Sequence, residues 1–183
     1  MLTWIIIAVV VIILVVMFIS YFNRFAVLGN RIENSQSQID VQLRKRSDLV
    51  PNLMSSVKGY MKHEKGIVKE VTEARKALVG ATDMAKKVKA GDQLQSALKS
   101  IFALAENYPN LKANENFLHL QQELSAIEDK VAYARQYYND SVLGYANLFR
   151  TFPGNMFAGL FGKKQKEYLK IPEASRAVPK VEF

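Results

Sequence analysis

The chain has 183 residues, of which 49% are hydrophobic, and a formal net charge of +8. It contains no cysteine and only two histidines, which excludes a disulfide framework and any metal site that needs three His or Cys ligands. Its basic residues are interspersed with acidic ones and never form a long run, so we expect no nucleic-acid partner.

A long apolar segment opens the chain. Residues 1–23 carry no charged side chain, and Ile5–Ile19 is apolar without interruption. A helix over Leu2–Phe22 is about 30 Å long, which matches the hydrocarbon thickness of a bilayer. A cleaved signal peptide would show a basic start, a shorter apolar run and small residues at its end, and none of these is present. The segment therefore predicts an uncleaved transmembrane anchor.

Aromatic and basic residues flank this anchor. Trp4 lies near its start and Tyr21 near its end, where interfacial aromatic side chains are common. Arg24 and Arg31 follow the anchor, whereas no Lys or Arg precedes it. Because basic residues beside a span tend to stay in the cytoplasm, we expect a single-pass protein with its N-terminus outside and the remainder in the cytoplasm.

Helical periodicity dominates the rest of the sequence. Apolar residues recur in steps of three and four in three long stretches, and a shorter stretch supplies a fourth. Such seams are typical of long packed helices, and no stretch alternates with a period of two for long enough to predict a strand. The four stretches are Phe25, Leu28, Ile32, Ser35, Ile39 and Leu43; Leu53, Val57, Tyr60, Glu64, Ile67, Val71, Ala74 and Leu78; Leu94, Leu98, Ile101, Phe102 and Leu104; and Phe117, Leu120, Leu124, Ile127, Val131, Ala134, Tyr138, Ser141, Tyr145, Leu148 and Phe152.

Turn and cap signals separate these helices. Ser47 and Asp48 followed by Pro51 predict a helix start and a turn near residues 47–51, with a kinked continuous helix as the alternative. Gly80 and Gly91 bracket a weakly patterned connection. The remaining limits are Pro109 at the end of the third helix, Asn114 or Asn116 as the cap of the fourth, and Pro153-Gly154 after it.

Arg44, Lys45 and Arg46 form a short basic run. They lie about 30 Å along the helix from the membrane end. This distance exceeds the Debye length of about 8 Å, so an upright helix would keep them away from lipid. The run therefore either complements the dipole at the end of the first soluble helix or forms a partner-binding surface.

Signals for catalysis are few. His63-Glu64 begins like a zinc protease motif, but Ile67 occupies the position where the second histidine is needed. The sequence has no nucleophile elbow and no glycine-rich phosphate loop. We expect no enzymatic activity and no cofactor, and the alternative is an enzyme or enzyme subunit with a carboxylate-based site.

Several sequence blocks together match the pattern of one known family: Gln38–Leu53, Val57–Tyr60 with His63-Glu64, Ala105–Pro109 with Asn114–Phe117, Ala132–Arg135 with Tyr138-Asn139, and Phe152–Asn155. These blocks resemble the LemA family of bacterial membrane proteins, and with the anchor they cover roughly residues 1–168. Gln36 departs from the pattern, because relatives often carry a large aromatic residue there.

The resemblance implies a membrane-anchored, up-and-down helical bundle without established enzymatic activity. It also implies a link to membrane remodelling and to an HtpX-type membrane protease. In an up-and-down path the fourth helix, about 54 Å long, returns to the bilayer. We therefore expect the apolar and basic residues after it at the membrane interface, with an apolar cap over the bundle end as the alternative. The interface candidates are Phe157, Leu160, Phe161, Lys163 and Lys164, together with Trp4 and Tyr21.

The combined prediction is an all-α protein with an N-terminal transmembrane helix and an antiparallel up-and-down four-helix bundle of long helices. We assign residues 1–23 to the anchor, 24–152 to the bundle, 153–170 to an apolar and then basic membrane-proximal segment, and 171–183 to an irregular tail. We expect a scaffold or adaptor of the bacterial inner membrane that contacts the lipid bilayer, forms a homo-oligomer and binds membrane-associated proteins such as an HtpX-type protease.

Overall fold

The structure is a computed structural model that describes residues 1–61 and 63–169. These residues form six α-helices and no strand, which confirms the all-α fold. The first helix is long and apolar enough at its start to cross a membrane. The predicted tail over residues 171–183 lies outside the described residues. The helices are α1 (Leu2–Val57), α2 (Lys65–Gly80), α3 (Met84–Ala105), α4 (Pro109–Lys112), α5 (Glu115–Arg150) and α6 (Gly154–Leu160).

The chain divides into two compact units, and α1 and α5 contribute to both. We call residues 35–135 the bundle unit, and residues 1–34 with residues 136–169 the anchor unit. The limits between the two units lie within the two longest helices, and the predicted segments stay predictions.

Four helical segments of the bundle unit run alternately up and down, as the up-and-down prediction requires. The turn after Val57 sends α2 back along α1, and Arg75 of α2 reaches the carbonyl of Ser47 in α1. After Gly80 the chain turns again into α3, which runs parallel to α1. α5 then runs antiparallel to α3. These directions follow from the contacts Lys87–Asp40 and Arg46–Gly91 between α3 and α1, and Phe102–Phe117 and Asp92–Arg135 between α3 and α5.

The seam residues that the periodicity identified form most of the core. On α5, every third or fourth residue from Phe117 to Leu148 is buried, so this helix presents one continuous apolar stripe. The seam prediction is wrong at Tyr60, which lies in the turn after α1, and at Phe152, which lies in the turn after α5; both are exposed. Buried members from the other helices include Ile39, Leu43, Leu53, Val71, Leu94 and Ile101.

The turn predicted at residues 47–51 is absent, and α1 continues through Pro51 to Val57. Proline has no backbone N–H, so the carbonyl of Ser47, four residues earlier, loses its helical partner. Arg75 of α2 replaces that donor, since its Nε lies 2.9 Å from the Ser47 oxygen. The seam that the sequence assigned to one helix is therefore divided between α1 and α2.

The loose connection predicted up to Gly91 is also much shorter in the structure. α3 begins at Met84, where the Asp83 side chain caps it by accepting a hydrogen bond from the Lys86 amide at 2.8 Å. Gly91 is buried inside α3, and a Cβ atom there would lie 2.6 Å from Cδ2 of Leu43. Glycine at this position allows α3 to approach α1 closely.

The predicted limits of the fourth long helix are confirmed. α5 spans Glu115–Arg150, and the Asn114 side chain caps it by accepting a hydrogen bond from the Phe117 amide at 3.1 Å. The chain reverses after α5 at Gly154, where a Cβ atom would collide with the carbonyl oxygen of Leu148. This position can hold only glycine, and α6 starts there.

In the anchor unit, the chain after α6 returns along α5. The Tyr138 hydroxyl donates to the carbonyl of Glu167 at 2.9 Å. The Asn139 side chain accepts from the Leu169 amide at 3.0 Å and donates to the Leu169 carbonyl at 3.3 Å. Residues 167–169, which form neither helix nor strand, are therefore held against α5 through their backbone groups.

Truncation of the α5 seam should destabilise the protein. Leu124 is 4% exposed, and we expect Leu124→Ala to lower the free energy of unfolding by about 2 to 5 kcal/mol. Gln122→Ala, at an exposed position of the same helix, should change it by less than about 0.5 kcal/mol. Urea unfolding of the full chain in mild detergent, followed by circular dichroism, measures both. Equal effects would show that the register of α5 is wrong.

Candidate functional site

A buried arginine lies at the centre of the bundle unit. Arg46 is 1% exposed, donates to the carbonyl of Gly91 at 3.1 Å and forms an ion pair with Glu128. Burial lowers the pKa of Arg46, because removal from water disfavours the charged form, and Glu128 opposes this change. The arginine thus joins α1, α3 and α5 through hydrogen bonds to a backbone and a carboxylate.

A second ion pair interacts with the first and links α3 to α5. Arg135 of α5 donates to Asp92 of α3 at 2.6 Å, and both side chains are largely covered. Asp92 raises and Arg135 lowers the pKa of Arg46, so the four charges interact. A buried ion pair of this kind adds little net stability, but removal of one partner leaves an uncompensated charge.

The basic run predicted as a surface is divided by this arrangement. Arg44 and Lys45 are exposed, whereas Arg46 lies inside the bundle unit. Electrostatics at a helix end does not explain the run, since α1 continues to Val57. The partner-binding prediction therefore stays a prediction for Arg44 and Lys45. For Arg46 it is corrected, because this side chain is buried and contacts Gly91 and Glu128 of the bundle unit.

The histidines and carboxylates are dispersed. His63 and His119 are exposed, and among residues 1–61 and 63–169 no three His, Asp or Glu side chains could hold a metal ion. The two carboxylates nearest the core, Asp92 and Glu128, are each paired with an arginine.

A hollow of about 770 Å³ opens where α1 ends and α2 begins, and we call it the α1–α2 hollow. Methionine and valine side chains supply apolar surface, and three lysines stand around it. Sequence reasoning missed this site, although lysines alternating with apolar residues on both sides of a glycine-containing turn were a usable signal. Its lining residues are Met54, Ser55, Lys58, Gly59, Met61, Lys65, Val68, Lys69 and Thr72.

The lysines of the hollow are mostly free of internal partners. Lys69 forms an exposed ion pair with Glu73 at 3.8 Å. Across residues 1–61 and 63–169, neither Lys58 nor Lys65 forms an ion pair. Their charges are therefore available to a ligand that carries carboxylates.

The anchor unit contains an aromatic cluster formed by α1, α5 and α6. Tyr21 stacks on Phe157 with ring centroids 4.8 Å apart, and Phe161 meets Phe18 and Phe22 edge to face at 5.1 and 5.4 Å. Phe25 continues the cluster to Tyr145 and Phe161. Each such pair adds about 0.5 to 1.5 kcal/mol beyond area burial. The spacing of Phe18, Tyr21, Phe22 and Phe25 on one helix face was the signal in the sequence.

The predicted interface residues occupy different places. Tyr21, Phe157 and Phe161 meet in the aromatic cluster, and Lys163 extends its ammonium group to 5.9 Å from the ring centroid of Phe22. Trp4 lies in the first turns of α1, away from the cluster. Both Leu160 and Lys164 are exposed. Contact with lipid stays a prediction for all of these residues.

Two of the sequence blocks that carry the family resemblance meet at one hydrogen bond. The Tyr108 hydroxyl donates to Oε1 of Glu64 at 3.2 Å and links the loop before α4 to the residue before α2. The family model described as the LemA family matches residues 35–183. The chain belongs to the LemA family.

Its curated relatives include proteins of two kinds. The chain is 27% identical over 130 residues to Protein LemA of Metamycoplasma hominis, covering 70% of this chain and 59% of that protein. It is 22% identical over 173 residues to Magnetosome protein MamQ of Magnetospirillum gryphiswaldense, covering 80% and 64%. A similar match, 22% over 175 residues, joins it to Magnetosome protein MamQ 1 of Paramagnetospirillum magneticum. The chain spans about three fifths of the length of these relatives.

This LemA-family chain is therefore a membrane-associated helical protein. The family match covers the bundle unit and the part of the anchor unit that follows it. The apolar start of α1 supplies the membrane anchor.

Loss of the carboxylate beside Arg46 should destabilise the bundle unit. We expect Glu128→Gln to lower the free energy of unfolding by about 1 to 3 kcal/mol, because the buried guanidinium loses its charged acceptor. Asp129→Asn, at the adjacent exposed carboxylate, should change it by less than about 0.5 kcal/mol. Urea unfolding measures the difference. If Glu128→Gln has no larger effect than Asp129→Asn, the ion pair does not hold the bundle together.

Proposed function

We propose that this LemA-family chain is a membrane-anchored scaffold or adaptor that binds other membrane-associated proteins. The α1–α2 hollow is the observation that carries the proposal. It combines apolar surface with two lysines, Lys58 and Lys65, that have no ion-pair partner in the described part of the chain. A groove of this kind accepts the apolar face of an amphipathic helix.

The chemistry of the hollow specifies the partner. Met54 and Met61 have flexible, polarizable side chains that can adapt to several apolar shapes. The lysines favour a segment with Asp or Glu beside its apolar residues, because complementary charge increases the association rate and disfavours basic segments. An HtpX-type membrane protease, which the family resemblance suggests, is one candidate partner.

The competing enzyme hypothesis has less support. A carboxylate-based site needs carboxylates with free oxygens directed into a cavity. The core carboxylates Asp92 and Glu128 are instead paired with Arg135 and Arg46. These two paired carboxylates therefore give less support to catalysis than the α1–α2 hollow gives to binding.

Charge reversal in the hollow should weaken partner binding. We expect Lys58→Glu combined with Lys65→Glu to reduce recovery of partner membrane proteins about tenfold, equivalent to about 1.4 kcal/mol. Lys76→Glu with Lys130→Glu changes the net charge equally at exposed positions outside the hollow and should leave recovery unchanged. Extraction of the tagged full chain in mild detergent, followed by quantitative mass spectrometry, compares them.

Equal recovery with both double variants would contradict the adaptor proposal at this site. The same extraction, performed with two differently tagged copies of the chain, tests the expected homo-oligomer. Failure of one tagged copy to recover the other would remove self-association from the proposal.

We propose that the anchor crosses the bacterial inner membrane and that the bundle unit lies in the cytoplasm, because Arg24 and Arg31 follow the anchor. The chain has no cysteine, so one introduced thiol reports one position. Ser96→Cys, on the exposed face of α3, should resist an impermeant thiol reagent in intact cells and react after lysis. Thr3→Cys, in the first turn of α1 at the outer end of the anchor, should react in intact cells. The reverse labelling pattern would invert the orientation.

A further inference from the structure

Helix α6 has two apolar faces, and only one of them is covered. Phe157 and Phe161 turn towards α1, where they belong to the aromatic cluster. Met156 and Leu160 lie four residues apart on α6, and Phe152 lies in the turn before it; they are 64%, 68% and 78% exposed. Three large apolar side chains, two on α6 and one in the turn before it, are thus exposed; we call them the stripe, and a short surface helix in water does not usually carry such a set.

The level of this stripe along the anchor is fixed by ring contacts. Phe161 contacts Phe18 and Phe22, and Phe157 stacks on Tyr21, so α6 lies beside the last turns of the apolar segment. Phe18 and Phe22 themselves keep part of their surface exposed. The stripe therefore continues the apolar surface of the anchor where the anchor leaves the hydrocarbon.

Basic side chains surround this region. The ammonium of Lys163 and the guanidinium of Arg24 each lie 5.9 Å from an aromatic ring centroid, over Phe22 and Tyr21. Lys164 and Lys166 follow in the exposed segment, and Glu167 is the single acidic residue of residues 151–169. Apolar side chains beside cations on flexible stems are the composition that lies at a lipid interface with anionic headgroups.

We propose that α6 is a second membrane contact that recognises anionic lipid. The stripe of Phe152, Met156 and Leu160 enters the interfacial layer of one leaflet, and Lys163 and Lys164 bind the headgroup phosphates. The contacts that hold α6 against α1 bring the helix to the level of the interface, and the pairing of the lysines with headgroups draws the stripe into the interfacial layer. This inference does not depend on a protein partner at the α1–α2 hollow.

Site-directed spin labels on the full chain test the depth. Single cysteines at Met156 and Leu160 are labelled with a nitroxide, and Val79, an apolar side chain that is 67% exposed in the bundle unit, provides the matched control. The proteins are reconstituted into vesicles of phosphatidylcholine with phosphatidylglycerol. We expect the labels at Met156 and Leu160 to be more accessible to oxygen than to a polar nickel complex, and the label at Val79 to show the reverse.

Other outcomes overturn the proposal. A label at Leu160 that is as accessible to the nickel complex as the label at Val79 shows that the stripe faces water and α6 is a cap on the anchor unit. Low accessibility to both reagents at Met156 and Leu160 shows that protein covers the stripe. Neither outcome bears on binding at the α1–α2 hollow.

Substitution of the lysines and a change of salt concentration test whether these side chains bind anionic headgroups. In vesicles with phosphatidylglycerol, Lys163→Gln with Lys164→Gln should lower the oxygen-to-nickel accessibility ratio at Leu160 at least twofold. In the protein with both lysines intact, raising the salt concentration should lower the same ratio, because salt screens the attraction between lysines and headgroups. Lys76→Gln with Lys89→Gln, at exposed positions of the bundle unit, should have no effect. Equal ratios for the two double variants would show that the lysines do not bind the headgroups.

Discussion

Arg46 places a full positive charge inside the bundle unit, and three helices are arranged to satisfy it. α1 supplies the guanidinium, α3 offers the carbonyl of Gly91, and α5 offers the carboxylate of Glu128. A charge removed from water is tolerated only when it is paired and hydrogen-bonded, so these groups must meet at one level. Gly91 allows this, because a larger residue would press against Leu43 of α1. The register of three helices therefore depends on one buried side chain.

The continuity of α1 depends on a second polar contact. Pro51 removes one helical hydrogen bond and usually bends or ends a helix at a cost of about 3 kcal/mol. Arg75 donates to the carbonyl that would otherwise lack a partner. The helix therefore extends to Val57 and carries Met54 and Lys58 to the α1–α2 hollow. The hydrogen bond from Arg75 to the Ser47 carbonyl thus helps to form the surface for which we propose partner binding.

The two units offer different surfaces to their surroundings. The anchor unit exposes a stripe of large apolar side chains next to lysines, a chemistry suited to lipid. The bundle unit exposes an apolar hollow lined by lysines, a chemistry suited to an acidic amphipathic protein segment. Under the proposed function, the first surface holds the chain at the membrane and the second binds the partner.

The sequence by itself determined the apolar anchor, the helical class and the core face of α5, because these follow from local composition and from periodicity along one helix, and it narrowed the cap of α5 to Asn114 or Asn116. Only the tertiary structure decided where α1 ends, which of three consecutive basic residues is buried, and that α6 lies against the anchor. Each of these depends on a partner distant in sequence: Arg75 for the carbonyl of Ser47, Glu128 for Arg46, and the rings of Phe18 and Tyr21 for α6. A local pattern does not specify such partners, because the free energy of each contact arises only when separate helices meet.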